Sequence, residues 1–70
     1  MDYIEAEFKI SDEEASNILI ASLLDIGFES FEENENCIKA FIPQTSFSEN
    51  EIIKVLQSLL LLKEINYSIR

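Results

Sequence analysis

The side chains able to do chemistry in this chain are almost all carboxylates. Fourteen Asp and Glu stand against five Lys and Arg, with no His and a single Cys, for a formal charge of −9 over 70 residues. Without His, the usual zinc ligand sets and the Ser/His and Cys/His nucleophile pairs are excluded, and Cys37 alone closes no internal disulfide. Two acidic runs remain, Asp12-Glu13-Glu14 and Glu32-Glu33-Asn34-Glu35. Neither follows the Asp-x-Asp-x-Asp-Gly order of a calcium loop, and the first suits a helix start, where carboxylates meet the positive end of the helix dipole. The lone glycine, Gly27, leaves nothing for a phosphate-cradling loop. Cys37 has only Lys39 as a basic neighbour and reads as an ordinary strand residue. No metal, no cofactor and no catalytic group is expected from these residues.

The elements that would position these groups follow from hydrophobic spacing. A domain this small buries only about 60% of the surface that its unfolded chain exposes, so every apolar stripe must be used. From Tyr3 to Ile10 the residues alternate, with Ile4, Ala6, Phe8 and Ile10 on one side and Tyr3, Glu5, Glu7 and Lys9 on the other, which is a half-buried strand. Ser11 and Glu14 are spaced as a capping box, and Ala15, Leu19, Leu23 and Ile26 continue at helical spacing until Gly27, giving a helix from about Asp12 to Ile26. Phe28 to Glu33 and Cys37 to Ile42 form a hairpin around Asn34-Glu35-Asn36, residues that tolerate positive φ. With the turn centred on Glu35, Phe28 faces Ile42, Ser30 faces Ala40 and Glu32 faces Ile38 on the inner side. Phe31 then falls on the outer side, and without a bulge only one of Phe28 and Phe31 reaches the core.

Pro43 ends the strand, and Ser48 with Glu51 forms a second capping box, flanked by a Phe47 and Ile52 staple. Ile52, Val55, Leu56, Leu59 and either Leu60 or Leu62 make the buried stripe of a second helix, and Glu64 to Arg70 alternates again with Ile65, Tyr67 and Ile69 inward. The order strand, helix, strand, strand, helix, strand predicts one domain over residues 1–70. It is an α+β, two-layer ferredoxin-like sandwich with both helices on one face of a four-stranded antiparallel sheet. Strands one and three are central, and Glu29, Glu32 and Glu33 discourage pairing at an edge.

The outer sheet face carries Tyr3, Glu5, Glu7, Phe31, Lys39 and Phe41, which are the candidate partner-binding residues. Aromatics among carboxylates suit a basic protein. The alternative is a solvated face on which Lys39 pairs with Glu5 or Glu7. RNA-recognition domains share the topology, but a charge of −9 repels a phosphate backbone and the third strand lacks a basic, Gly-containing aromatic octamer, so nucleic acid is not expected. Acylphosphatases need an arginine after the first strand, where this chain has Ser11-Asp12-Glu13-Glu14. The longest aliphatic run, Leu59 to Leu62, is far short of a membrane span, and the first residues are no signal peptide, so no membrane contact and a cytoplasmic location are expected.

Leu23-Leu24-Asp25-Ile26-Gly27-Phe28-Glu29-Ser30-Phe31-Glu32-Glu33, followed by Lys39-Ala40-Phe41-Ile42-Pro43 and preceded by Met1-Asp2-Tyr3-Ile4-Glu5, resembles the N-terminal domain of the bacterial PrmA-type ribosomal protein methyltransferases. The resemblance extends over essentially the whole chain. It implies a ferredoxin-like fold and a role in recognising large-subunit ribosomal protein eleven, a basic protein. It also implies that a separate catalytic domain, lying outside these residues, transfers methyl groups from S-adenosylmethionine, so this domain is not expected to be an enzyme by itself. Relatives often place a Gly in the hairpin turn, where this chain has Asn36-Cys37. A stand-alone regulatory module of the ACT type, with weak self-association, and an acidic interaction module are the alternative readings.

Overall fold

The computed structural model describes residues 2–58 and 65–70, together with the backbone, though not the side chain, of Leu59. Strand β1 is Tyr3–Lys9, helix α1 Glu13–Asp25, β2 Ser30–Glu33, β3 Cys37–Pro43, α2 Glu49–Leu59 and β4 Asn66–Ile69, with a short 3₁₀ turn at Gln44–Ser46. The strands form one antiparallel sheet in the order β2-β3-β1-β4. The expected α+β two-layer sandwich with β1 and β3 at the centre is what forms.

Strand pairing and burial agree along the whole of β1. Ile4 lies opposite Ile42, Ala6 opposite Ala40 and Phe8 opposite Ile38. Ala6, Phe8, Ile38, Ala40 and Ile42 are essentially inaccessible, and they form one cluster with Ala15, Leu19 and Leu23 of α1 and Ile52 and Leu56 of α2. Both helices therefore cover the same face. On β4, Tyr67 and Ile69 share the inner parity through Phe8 and Ala6, and the Tyr67 ring stacks on Phe8 at 6.0 Å. Leu60, Leu62 and Glu64, expected in the second helix and last strand, lie outside the described residues.

The start of α1 differs from the sequence expectation. Asp12, not Ser11, is the N-cap: its Oδ1 accepts from the amides of Glu14 at 2.9 Å and Ala15 at 3.2 Å. A carboxylate is the stronger acceptor for these amides and carries charge to the dipole, so it displaces the hydroxyl one residue earlier. The end of α1 is a Schellman arrangement: Phe28 donates its amide to the Leu23 carbonyl at 3.1 Å, Gly27 donates to Leu24 at 3.2 Å, and Gly27 takes φ +110°. At α2 the Ser48 carbonyl accepts from the Glu51 and Ile52 amides. The Glu51 carboxylate pairs with Lys54 at 3.3 Å instead of turning back to close a box. Phe47 packs, partly buried, against the core cluster that contains Ile52.

The hairpin register is one residue away from the expected one. Ser30 lies opposite Phe41, Phe31 opposite Ala40, Glu32 opposite Lys39 and Glu33 opposite Ile38. The turn is therefore the two residues Glu35 and Asn36, closed by the Asn34 amide donating to the Cys37 carbonyl at 2.9 Å, and no described residue except Gly27 has positive φ. Phe31 is thereby on the inner side, half-buried against the core, while Ser30 and Glu32 move to the outer side. Phe28 is buried as well, because it belongs to the helix stop. Both phenylalanines reach the core because Glu29 also donates its amide to the Phe41 carbonyl, at 2.9 Å. Glu29 and Ser30 together address Phe41, and that extra residue is a β-bulge.

Replacing Asp12 with Ala should cost about 1 kcal/mol in urea unfolding, through loss of the cap. Ser11→Ala should stay within about 0.5 kcal/mol; equal losses would return the cap to Ser11.

Candidate outer-face interaction surface

The face of the sheet away from the helices is ordered in cross-strand rows. One row reads Glu32, Lys39, Glu7, Ser68; the next reads Ser30, Phe41, Glu5, and then Arg70 at the end of β4; Cys37, Lys9 and Asn66 form a third, and Pro43 sits beside Tyr3. Of the six residues expected to share this face, Tyr3, Glu5, Glu7, Lys39 and Phe41 are brought together. Phe31 is not, because the bulge turns it to the core side.

Arg70 organises the centre of the surface. Its backbone exchanges two hydrogen bonds with Glu5, of 2.8 and 3.1 Å. Its guanidinium donates to Glu7 Oε1 at 3.4 Å and lies 3.8 Å from Glu5 Oε2, an oxygen shut off from water with no hydrogen bond of its own. Lys9 approaches Glu7 from the other side at 4.0 Å. The Glu7 side chain is 12% exposed and the Arg70 side chain 64%, so these pairs are screened from one side only. Lys39 sits in register between Glu7 and Glu32, with no ion pair inside 4 Å among the described residues.

The charge count of the face corrects a simple reading of the −9. Glu5, Glu7 and Glu32 are matched on the same face by Lys9, Lys39 and Arg70, and Glu29, bonded to Tyr3, adds one carboxylate at the margin. The acidic excess lies off the face. Asp12, Glu13 and Glu14 open α1, and the hairpin turn with Glu35 stands at that same end, since Ile10 donates its amide to the Asn36 carbonyl at 3.0 Å. Glu49 and Glu51 open α2. Sequence reasoning missed Glu32 and underweighted Arg70, the one because its parity depends on the bulge and the other because its partners are 63 and 65 positions away.

Two tyrosines tie this scaffold to carboxylates. Tyr3, 49% exposed, donates its hydroxyl to Glu29 Oε1 at 2.8 Å, which joins β1 to the bulge. Tyr67 donates to Glu49 Oε2 at 3.1 Å, which joins β4 to the first turn of α2. The Glu29 carboxylate accepts a hydrogen bond from the neutral Tyr3 hydroxyl and repels the phenolate, raising the pKa above 10; for Tyr67 burial raises it first and Glu49 adds to it.

Over an alignment 64 positions long that covers 81% of the chain, it is 38% identical to a "Ribosomal protein L11 methyltransferase" of Porphyromonas gingivalis. The expected resemblance is borne out. The chain spans 22% of the length of that relative. No family model matches the chain.

The turn from β1 into α1 contains no glycine, and the Asp12 carboxylate takes the amides of Glu14 and Ala15 there. No helix among the described residues is long and apolar enough to cross a membrane.

The raised tyrosines give a pH test. Each hydrogen bond is intact below the unfolded tyrosine pKa near 10 and is lost as pH rises through the higher folded value, so stability should fall only in that alkaline window. A tyrosinate absorbance titration should show both groups ionising later than in the unfolded chain, and Glu29→Gln should bring Tyr3 back toward 10. Unchanged titration of Tyr3 in that variant would remove the Glu29 contact.

Proposed function

We propose that this chain is the N-terminal, substrate-recognition domain of a ribosomal protein methyltransferase. It binds a basic large-subunit ribosomal protein, ribosomal protein L11, and presents it to a separate catalytic domain that carries S-adenosylmethionine, in the cytoplasm. The domain itself holds and orients the substrate and transfers nothing. The observation that carries this reading is the 38% identity to a protein of that name over 81% of the chain. The charge of −9 supports a basic partner, because a long-range field of one sign speeds encounter with the other.

On this reading Tyr3 and Phe41 supply contact area, and Glu5, Glu7 and Lys39 supply polar contacts that fix orientation. Phe31 contributes through the core, holding the hairpin that carries Glu32 and Phe41. The acidic starts of α1 and α2 act at a distance on the approach of the partner.

An NMR titration of the labelled chain with ribosomal protein L11 should shift the amides of Tyr3, Glu5, Glu7, Lys39 and Phe41 more than those of the exposed side of α1. Affinity should weaken as salt is raised from low to physiological strength, where the Debye length shrinks to about 8 Å. No binding at low salt would overturn the proposal.

A further inference from the structure

The two edges of the sheet are guarded very differently. Both edge strands are four residues long, but β2 carries Glu32 and Glu33 and begins at the bulge of Glu29 and Ser30. These are the usual devices against pairing with another strand. Edge strand β4, Asn66-Tyr67-Ser68-Ile69, has no charge, no proline and no bulge, and it pairs with β1 in unbroken register from Asn66 to Ile69. The reciprocal Glu5 and Arg70 backbone bonds fix its phase, so Asn66 and Ser68 also turn their backbone groups to β1, and those of Tyr67 and Ile69 point away from it. Among the described residues no strand lies on that side.

We propose that β4 is a docking edge, and that an extended segment of the basic partner adds to it as a fifth, antiparallel or parallel strand. This deepens the proposed function and rests on it. The backbone of Tyr67 and Ile69 offers two donors and two acceptors in a row, which gives pairing without dependence on sequence. The occupant's charge is selected by the long-range field of a chain of charge −9 and, on the helix side of the edge, by Glu49, at 3.1 Å from the Tyr67 hydroxyl. On the outer side Glu5 and Glu7 are already paired with Arg70, so the basic side chains of an added strand belong on the helix side. A second copy of this chain is disfavoured as the occupant, because two bodies of charge −9 repel at the distances of strand pairing.

Hydrogen exchange on the chain, alone and with ribosomal protein L11, tests this. The Tyr67 and Ile69 amides should exchange freely alone and slow about tenfold or more in the complex, with Asn66 and Ser68 protected in both. Ile69→Pro removes an outward amide without breaking a β1 bond and should weaken binding about tenfold, while its unfolding curve reports whether it still folds. If ribosomal protein L11 binds, yet the two amides exchange as before and the proline variant binds equally well, the docking edge is wrong and the recognition role stands. No binding of any kind takes down both. Protection of the same amides in the isolated chain, with a dimer in sedimentation, would make a second copy the occupant and overturn the inference.

Discussion

The pairing of β1 with β3 is the constraint on which the remaining structure depends. Seven consecutive residue pairs, from Tyr3 and Pro43 to Lys9 and Cys37, assign every side chain of both strands to one face or the other. Because side chains alternate with period two, the pairing that buries Ala6 and Phe8 and turns Ile4 toward them also sets Tyr3, Glu5, Glu7 and Lys9 on the opposite surface. The apolar core and the polar rows are therefore two outcomes of one register. The helices, β2 and β4 are added to a frame already decided.

Much of this frame could be read from the residues, and the reasons are local. Strict alternation from Tyr3 to Ile10, the spacing of Ala15, Leu19 and Leu23, and Gly27 as a stop each report a structure formed by neighbours in sequence. The order of elements then leaves few ways to use all the apolar stripes. The parity of β2 was not legible, since Phe28 belongs to the helix stop, and the bulge between it and Phe31 shows only in a backbone bond to Phe41, thirteen residues away from Phe28. The cap at Asp12 was hidden for a different reason: Ser11 and Asp12 are both good N-caps, and the choice between them rests on charge and geometry.

The candidate surface was legible in part. Five of its six expected residues lie together because they sit on β1 and β3, whose alternation is unambiguous. What spacing could not supply was the balance of charge across strands, which brings Arg70 onto Glu5 and Glu7 and sets Lys39 between Glu7 and Glu32. A strongly acidic composition thus coexists with a mixed, nearly neutral sheet face, and the excess sits at helix starts and the hairpin turn. There it also satisfies amides and favours the helix dipoles, so one set of carboxylates serves both folding and the long-range field.

The bulge at Glu29 and Ser30 has a consequence for how the chain tolerates change. Losing a single residue there would slide the rest of β2 by one step along β3, carrying Phe31 into water and Glu32 toward the apolar layer, whereas exchanging the Ser30 side chain would leave the alignment untouched. This segment accepts substitution far more readily than deletion, and the count of residues between Gly27 and Phe31 matters more than their identities.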